Sequence, residues 1–460
     1  MRTYFDPPLS AWRPTSRPAA SRDELARVVR ERARRLGTPD LDVTEPLIAT
    51  GHQAWLWHPG ILAKDIAADV AADRFGAGRV HLVVDQDVHS ALEFTLPRQE
   101  GDRLTARQVR LAPQRRSLPT GFQPPADPHE LLASVHRLED PRLAPLAEAS
   151  SDLPDCRSLA EQVAVILARL RRPVAGELAL LFVSDLPKLA AYRELLEAML
   201  ADAVACAKAY NEAVAAWPEA GVGPLTLESW RVELPLWVCR WGEPRRRVYA
   251  DLADSGNPIF VDEAGEPVGG EGDWLLPRAL LLSAAMRRFG CELFIHGKGG
   301  GIYDRATETW WASWQGSELA PGVVVSADLH LDCGAPVADR AQRARAVWHA
   351  RYVRYNVDRL LGLDSPRARQ KRRLIEQMDQ HGDRMRKWLA FREIERFNRE
   401  LQAAHPEVIA EADQRLRQAE AGVANRAIAG RRDWPFVLYP LDALASLRRA
   451  MGAGEVARRG

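Results

Sequence analysis

The chain has 460 residues, 46% of them hydrophobic and 27% charged, with a formal net charge of +1. That length allows two or three domains with a sizeable core, and the composition excludes a disordered or fibrous protein. A charge this close to zero supplies no global field for nucleic acid or an anionic membrane. No apolar run approaches a membrane span, and Met1-Arg2-Thr3-Tyr4-Phe5 opens no secretory signal. Cys156, Cys206, Cys239, Cys291 and Cys333 are scattered and form no C-x-x-C pair, which argues against a disulfide framework and a structural zinc site. A reducing cytoplasm is the expected location.

Residues 1 to about 45 read as proline-rich coil followed by a charged helix through Glu24, Leu25, Val28 and Val29. The apolar run Pro46-Leu47-Ile48-Ala49 then predicts a short buried strand. Ile61, Leu62, Ile66 and Val70 recur at helical spacing, so a helix follows. Between them lies Thr50-Gly51-His52-Gln53-Ala54-Trp55-Leu56-Trp57-His58-Pro59-Gly60, with Lys64 just inside the helix. At such a strand-to-helix turn in an α/β sheet, unpaired helix N–H groups are expected to face a ligand. Gly76-Ala77-Gly78 is a stop signal, and Arg79 to Val84 is a buried β-branched strand. Strand, helix and strand make a right-handed βαβ unit with parallel strands. The loop Asp85-Gln86-Asp87-Val88-His89 should therefore share one edge of the sheet with the first turn.

Ala91 to Leu96 and Leu104 to Leu111 alternate and read as antiparallel additions to that sheet. Pro113 to Pro128 reads as a surface connection. Helices are expected over Leu159 to Leu170 and Leu186 to Trp217, with a core strand at Glu177 to Val183 between them. Arg231 to Arg240 and Arg245 to Ala250 read as paired strands. Leu275 to Leu282 opens a buried helix ending near Phe289-Gly290. Cys291 to His296 is a short strand, and Gly297-Lys298-Gly299-Gly300-Gly301-Ile302-Tyr303-Asp304 is a second glycine-rich turn. Ala338 to Leu361, Arg367 to Leu401 and Glu407 to Ile428 are dense in Arg, Glu, Gln, Ala and Leu. With the His405-Pro406 break, they predict an antiparallel helical hairpin. Asp433 to Pro440 is expected to return to the globular body.

Three constellations carry chemistry. His52 and His58, beside Gly51, Gln53 and Pro59-Gly60, offer imidazoles for proton transfer or anion binding, and Lys64 would reach the same anion. Asp85, Asp87 and His89 would lie on one face of an extended strand end, as proton transfer or a metal site requires, although the spacing matches no zinc signature. His296, Lys298 and the Gly299, Gly300 and Gly301 backbone could cradle an anion, with Arg278 as a bidentate clamp. The plainer readings are a backbone-bonding turn, a polar loop and a simple glycine turn. The basic run Arg367 to Arg373 is followed by Glu376, Asp379 and Asp383 and reads as a solvated face rather than a nucleic-acid site.

Taken together, three segments resemble the bacillithiol biosynthesis cysteine-adding enzyme (BshC) family. Thr50-Gly51-His52-Gln53 with its turn glycine and Lys64 resembles that family's T-G-Q-Q…G-P…K segment. Asp85-Gln86-Asp87-Val88-His89 resembles its E-D-H-D segment. Leu276-Pro277-Arg278 through Gly299-Gly300-Gly301-Ile302-Tyr303 resembles its R-P…G-G-P-x-E-I-A-Y region. The chain departs from the pattern at His52, at His58-Pro59-Gly60, at the displaced His89, and at His296-Gly297-Lys298.

The resemblance implies an α/β fold with a Rossmann-like parallel-sheet core, nucleotidylyltransferase-like, and a long α-helical coiled-coil arm for homodimerisation. It further implies a ligase that joins a cysteine-type amine to a sugar-malate-type carboxylate in thiol biosynthesis, with ATP or ADP as cofactor. His52, Gln53, His58, Asp85, Asp87 and His89 are the expected catalytic group. Gly51, Lys64, Arg278, His296, Lys298, Gly299, Gly300, Gly301 and Tyr303 are the expected substrate- and anion-binding group. On this basis 1–158 is the first part of the core, 159–220 a helical segment packing on core or arm, and 221–334 the second part of the core with a small connecting region. The arm is 335–430, and 431–460 returns to the core. The expected partner is a small-molecule substrate, not nucleic acid or a membrane. A non-catalytic nucleotide-binding scaffold or sensor and a metal-dependent hydrolase are the alternatives, although no metal is expected.

Overall fold

A computed structural model describes residues 1–15, 22–41, 43, 46–252, 258–380 and 382–453. Part of the proline-rich opening and the end of the C-terminal return lie outside these residues. The strands in chain order are β1 (Arg2–Asp6), β2 (Leu47–Gln53), β3 (Gly78–Val84), β4 (Glu93–Glu100), β5 (Arg103–Arg110) and β6 (Ala179–Phe182). They continue with β7 (Arg231–Cys239), β8 (Arg246–Asp251), β9 (Ile259–Asp262), β10 (Trp274–Pro277), β11 (Leu293–His296) and β12 (Gly322–Asp328).

The protein is mixed α/β. Its main sheet has six strands in the order β1-β12-β11-β2-β3-β6. β12, β11, β2, β3 and β6 are mutually parallel along the row, while β1 joins β12 antiparallel. From β2 the chain works outward through β3 to β6, then returns to β11 on the other side of β2 and works outward to β12. The strand order therefore reverses between β2 and β11, the kind of edge where an open α/β sheet leaves a crevice beyond its carboxyl ends. Thr50 Oγ1 donates to Ile295 O at 2.9 Å across this junction.

β2 and β3 are central and buried, as their continuous apolar sequences require of strands covered on both faces. Leu47, Ile48, Ala49, Val80 and Leu82 are fully enclosed. Each large aliphatic side chain there contributes roughly 1.5–3 kcal/mol of burial. The connecting helix Pro59–Phe75 starts at its N-cap His58 and ends on Gly76, in the left-handed conformation at φ 62°, the usual glycine stop. Its residues Leu62, Ala63, Ile66, Ala67 and Ala68 are buried, so it is apolar on most sides and belongs to the interior.

Several expectations change here. The opening segment forms β1, and β12 adds a strand that the sequence reading omitted. β4 and β5 form a separate two-stranded sheet instead of extending the main one. β10, β7, β8 and β9 make a four-stranded antiparallel sheet. The segment expected to open a helix at Leu275 is first β10, then a helix over Ala279–Ala285 that widens into a π-turn at Met286–Gly290. The Pro113 to Pro128 connection is partly interior, with Leu118, Thr120, Phe122 and Gln123 buried.

Two compact units divide the chain. The first holds Met1–Thr95, Gln108–Leu329 and Arg432–Gly460 and contains the main sheet; the second holds Leu96–Arg107 and His330–Arg431. In the second unit, helices Arg340–Tyr355, Pro366–Gln380, Arg384–Ala404 and Pro406–Ala429 pack around small apolar clusters. Asn425, fully buried, accepts from Leu104 N–H at 2.8 Å and donates to Asp102 O at 2.7 Å. No helix among the described residues is long and apolar enough to cross a membrane.

Candidate functional site

A cleft of about 840 Å³ opens at the β2–β11 junction, lined by residues from the ends of β2, β3, β11 and β12 and by the wall Tyr210, Trp237 and Leu282. Gly51, His52, Gln53, His58, Lys64, Asp87, Arg278, His296, Lys298, Gly299, Gly300 and Tyr303 all line it. Asp85, His89 and Gly301 do not.

The first turn is tighter than expected, because β2 itself runs through Gly51, His52 and Gln53. A Cβ on Gly51 would lie 2.7 Å from Leu82 O on β3, so only glycine fits between the two strands. Lys64 is buried and donates to Gly51 O. Burial pushes its pKa down to about 8, against a smaller upward pull from Asp65. His58 caps the helix by accepting Gly60 N–H on Nδ1 at 3.1 Å. In the neutral imidazole that leaves the proton on Nε2, which becomes a donor. Burial lowers the His58 pKa, with Asp433 opposing. Burial, then Lys64, holds His52 well below the usual histidine range, and its ring stacks on Trp55 at 5.8 Å.

The helix at Pro59 offers a ligand little backbone. Pro59 has no N–H, Gly60 bonds His58 Nδ1, and Ile61 donates to His58 O at 2.9 Å. The unpaired amides expected at this turn are thus consumed by its own cap.

The second turn is the opposite case. Its glycines are not loop but the first turn of the helix Lys298–Gln315, whose N-cap Gly297 provides no side-chain cap. The first backbone bond of this helix is Gly301 N–H to Gly297 O at 3.0 Å, so the amides of Lys298, Gly299 and Gly300 precede the ladder and are open donors. The helix dipole adds positive potential at the same point. The Lys64 stem packs by Gly297, with Cδ 3.7 Å from where a Cβ would stand. Lys298 lies 5.2 Å from the Tyr4 ring centre.

His296, at the end of β11, is buried yet lines the cleft. Its Nε2 lies 3.2 Å from Asp304 Oδ2, off the line of a good hydrogen bond, so the attraction is mainly electrostatic. Arg287 donates to the same carboxylate oxygen at 2.6 Å. Burial alone would raise the Asp304 pKa, but His296 and Arg287 outweigh it and hold it low. Tyr303 packs edge-on to His296, and burial pushes its phenol up to about 12.

The Asp85, Asp87 and His89 string is pulled apart, since the chain turns after Val84 and ends the alternation. Asp85 turns inward and accepts Ser184 N–H at 3.0 Å and Ser184 Oγ–H at 2.5 Å. Burial raises its pKa to about 6 despite those bonds. His89 Nε2 lies 3.0 Å from Ala54 O and braces the first turn. Of the three, Asp87 alone lines the cleft, where Gln53 Nε2 at 2.9 Å, Arg245 at 2.7 Å and Val88 N–H at 3.0 Å donate to its carboxylate. Burial favours its neutral form, but those donors prevail and its pKa is lowered. Asp87 thus anchors Arg245 on the cleft wall. Among the described residues, no group of three or more His, Cys, Asp or Glu is disposed to hold a metal ion.

Arg278 donates to Glu233 at 2.6 Å, and both Arg278 and Arg245 lie over the Trp237 ring, at 4.8 and 4.3 Å. Arg432 pairs with Asp328 at 3.0 Å on the lining beside β12. Sequence reasoning did not single out Trp237, Arg245, Asp304 or Asp328. Only Asp328 had a local signal, at the carboxyl end of the alternating strand Gly322–Asp328. No family model and no curated protein matches this chain.

Proposed function

We propose that the cleft binds a phosphate- or carboxylate-bearing metabolite and that the protein is a ligase-type enzyme. It would join a small amine to a nucleotide-activated carboxylate, with ATP as donor and ADP or AMP as product. The observation that carries this reading is the open N-terminus of the Lys298–Gln315 helix, with Lys64, Lys298, His58 and His296 around it. Preorganised donors of this kind stabilise developing phosphate charge without reorganising. The resemblance to the bacillithiol biosynthesis cysteine-adding enzymes favours a cysteine-type amine and a sugar-malate-type carboxylate. It also favours a Rossmann-like reading of the sheet and a coiled-coil, dimer-forming reading of the second unit.

Mass spectrometry of freshly purified protein under native conditions tests the assignment, together with ATP consumption in the presence of paired amines and carboxylates. A co-purifying nucleotide or phosphorylated metabolite and amine-dependent ADP or AMP formation are expected. Neither ligand nor turnover with any pair would contradict it. One observation favours a second reading, a nucleotide-binding sensor without catalysis: both carboxylates on the cleft wall, Asp87 and Asp328, are already paired with arginine. A sensor would be stabilised by ATP without consuming it.

A further inference from the structure

We infer that His296 is the proton acceptor of this cleft and that Asp304, tied to Arg287, is the residue that positions it. The inference rests on the ligase reading above and supplies the base that the paired carboxylates leave missing. It comes from how one imidazole is placed. Nε2 faces Asp304 Oδ2 at 3.2 Å and has no accessible surface of its own. Nδ1 has no hydrogen-bond partner among the described residues, and His296 lines the cleft. Gly300 makes this possible, because a Cβ there would stand 2.9 Å from Nδ1 and close off that edge of the ring.

A buried carboxylate facing one imidazole nitrogen favours the tautomer with its proton there and stabilises the imidazolium when the other nitrogen takes a proton. Asp304 is itself fixed. Arg287 donates to Asp304 and to Glu308 Oε1 at 2.5 Å, and its Nε donates to Ala320 O. The groups facing His296 are Asp304 and Tyr303 on the following helix and Phe294 on its own strand, and the Lys64 stem passes the next residue, Gly297.

The step balances as follows. An amine attacks the carbonyl carbon of an acyl phosphate or acyl adenylate, itself made from the carboxylate and a nucleoside triphosphate. The C–N bond forms, and the C–O bond to the phosphoryl group breaks. The leaving phosphate keeps that electron pair and is received by the Lys298, Gly299 and Gly300 amides. The proton lost from nitrogen goes to His296 Nδ1, while Nε2–H stays against Asp304.

Long-range proton–nitrogen NMR on the whole protein reads the tautomer directly. In the native protein, His296 should be at least tenfold enriched in the Nε2–H form. In Asp304→Asn the amide oxygen keeps the place of Oδ2 against both Arg287 and His296 but carries no full charge, so the Nε2–H preference should shrink to within about threefold of even. Inorganic phosphate should bind this variant within about threefold of the native protein. A native Nδ1–H tautomer, or an unchanged preference in Asp304→Asn, overturns the inference. If that variant does not fold, the native tautomer alone decides. Failure of inorganic phosphate to bind the native protein would instead strike the anion-binding reading, leaving the tautomer result to judge the histidine pair.

Discussion

The fold builds the same three residue types twice. His296, Asp304 and Arg287 form one buried chain, and His81, Asp65 and Arg171 form the other, with His81 Nδ1 2.9 Å from Asp65 and Arg171 2.5 Å from its second oxygen. The second chain has the shorter histidine contact and is more deeply enclosed. Its second nitrogen, His81 Nε2, is buried without a hydrogen-bond partner among the described residues, beside a void of about 10 Å³ lined by His52, Trp57, Leu167, Arg171 and Leu180. Burial lowers the His81 pKa more than Asp65 raises it, so His81 is held neutral. The charge of Arg171 and the hydrogen bonds from Arg171 and His81 outweigh burial at Asp65 and hold its pKa well below the ordinary carboxylate range. The lesson is that the electrostatics of such a chain do not make a site. What distinguishes the two is the surroundings of the second imidazole nitrogen: His81 Nε2 is buried beside a small void, whereas His296 lines the cleft that holds the open amides.

The comparison breaks most visibly at the two histidines. His296→Asn should reduce amine-dependent ADP or AMP formation by roughly 100-fold or more, the usual yield of a general base, while the thermal midpoint moves little. His81→Asn should do the reverse, lowering stability with no comparable loss in turnover per folded molecule. Equal kinetic losses in both would dissolve the distinction.

Asp65→Asn should cost about 3–5 kcal/mol in urea unfolding, because it leaves Arg171 buried without its counter-charge. A change below about 1 kcal/mol would show that the sealed chain is not a tight ion pair.

Asp85 sharpens the contrast as a buried carboxylate bonded to Ser184, with no arginine at hydrogen-bond distance among the described residues. Its folded pKa, about 6, lies above the ordinary value of 3.8. Below pH 3.8 both folded and unfolded states are protonated and there is no penalty. As pH rises toward 6 the unfolded chain ionises first, so stability falls, and the penalty is complete above pH 6. Asp85→Asn should therefore stabilise the protein at pH 8, by up to about 3 kcal/mol, and lose that advantage near pH 4. Thermal melts at the two pH values check the sign.

The smallest effect concerns Lys64, whose pKa of about 8 means it loses its charge just above neutrality. Anion affinity should weaken as pH passes 8. Lys64→Met should be about tenfold weaker at pH 7, a loss of about 1.4 kcal/mol, and flatter with pH.

Much of this frame was legible in the sequence because it is local. Apolar runs at Leu47 and Val80 gave central strands, Gly76 gave a helix stop, and the glycines at 299–301 marked a strand-end turn. The parallel βαβ rule brought His52 and Asp87 to one cleft. The rest depended on distant partners. The alternation of Asp85, Asp87 and His89 suggested one face, but the chain turns after Val84 and sends each residue to a different neighbour. Asp304 looked like any turn residue until Arg287 and His296 came beside it, and Arg245 lay in a run of three arginines with nothing to choose among them. The two strand-end turns also looked alike. Only the position of His58 Nδ1 over Gly60 showed that the first was already capped.

The account rests on the open N-terminus of the Lys298–Gln315 helix receiving phosphate. Calorimetric titration of the native protein and the Lys64→Met, Lys298→Met pair with ATP at pH 7 tests that most directly. Saturable binding that weakens by at least 100-fold in the double variant, with the fold retained, is the predicted result. Binding of equal strength in both proteins, or none in the native protein, would contradict it.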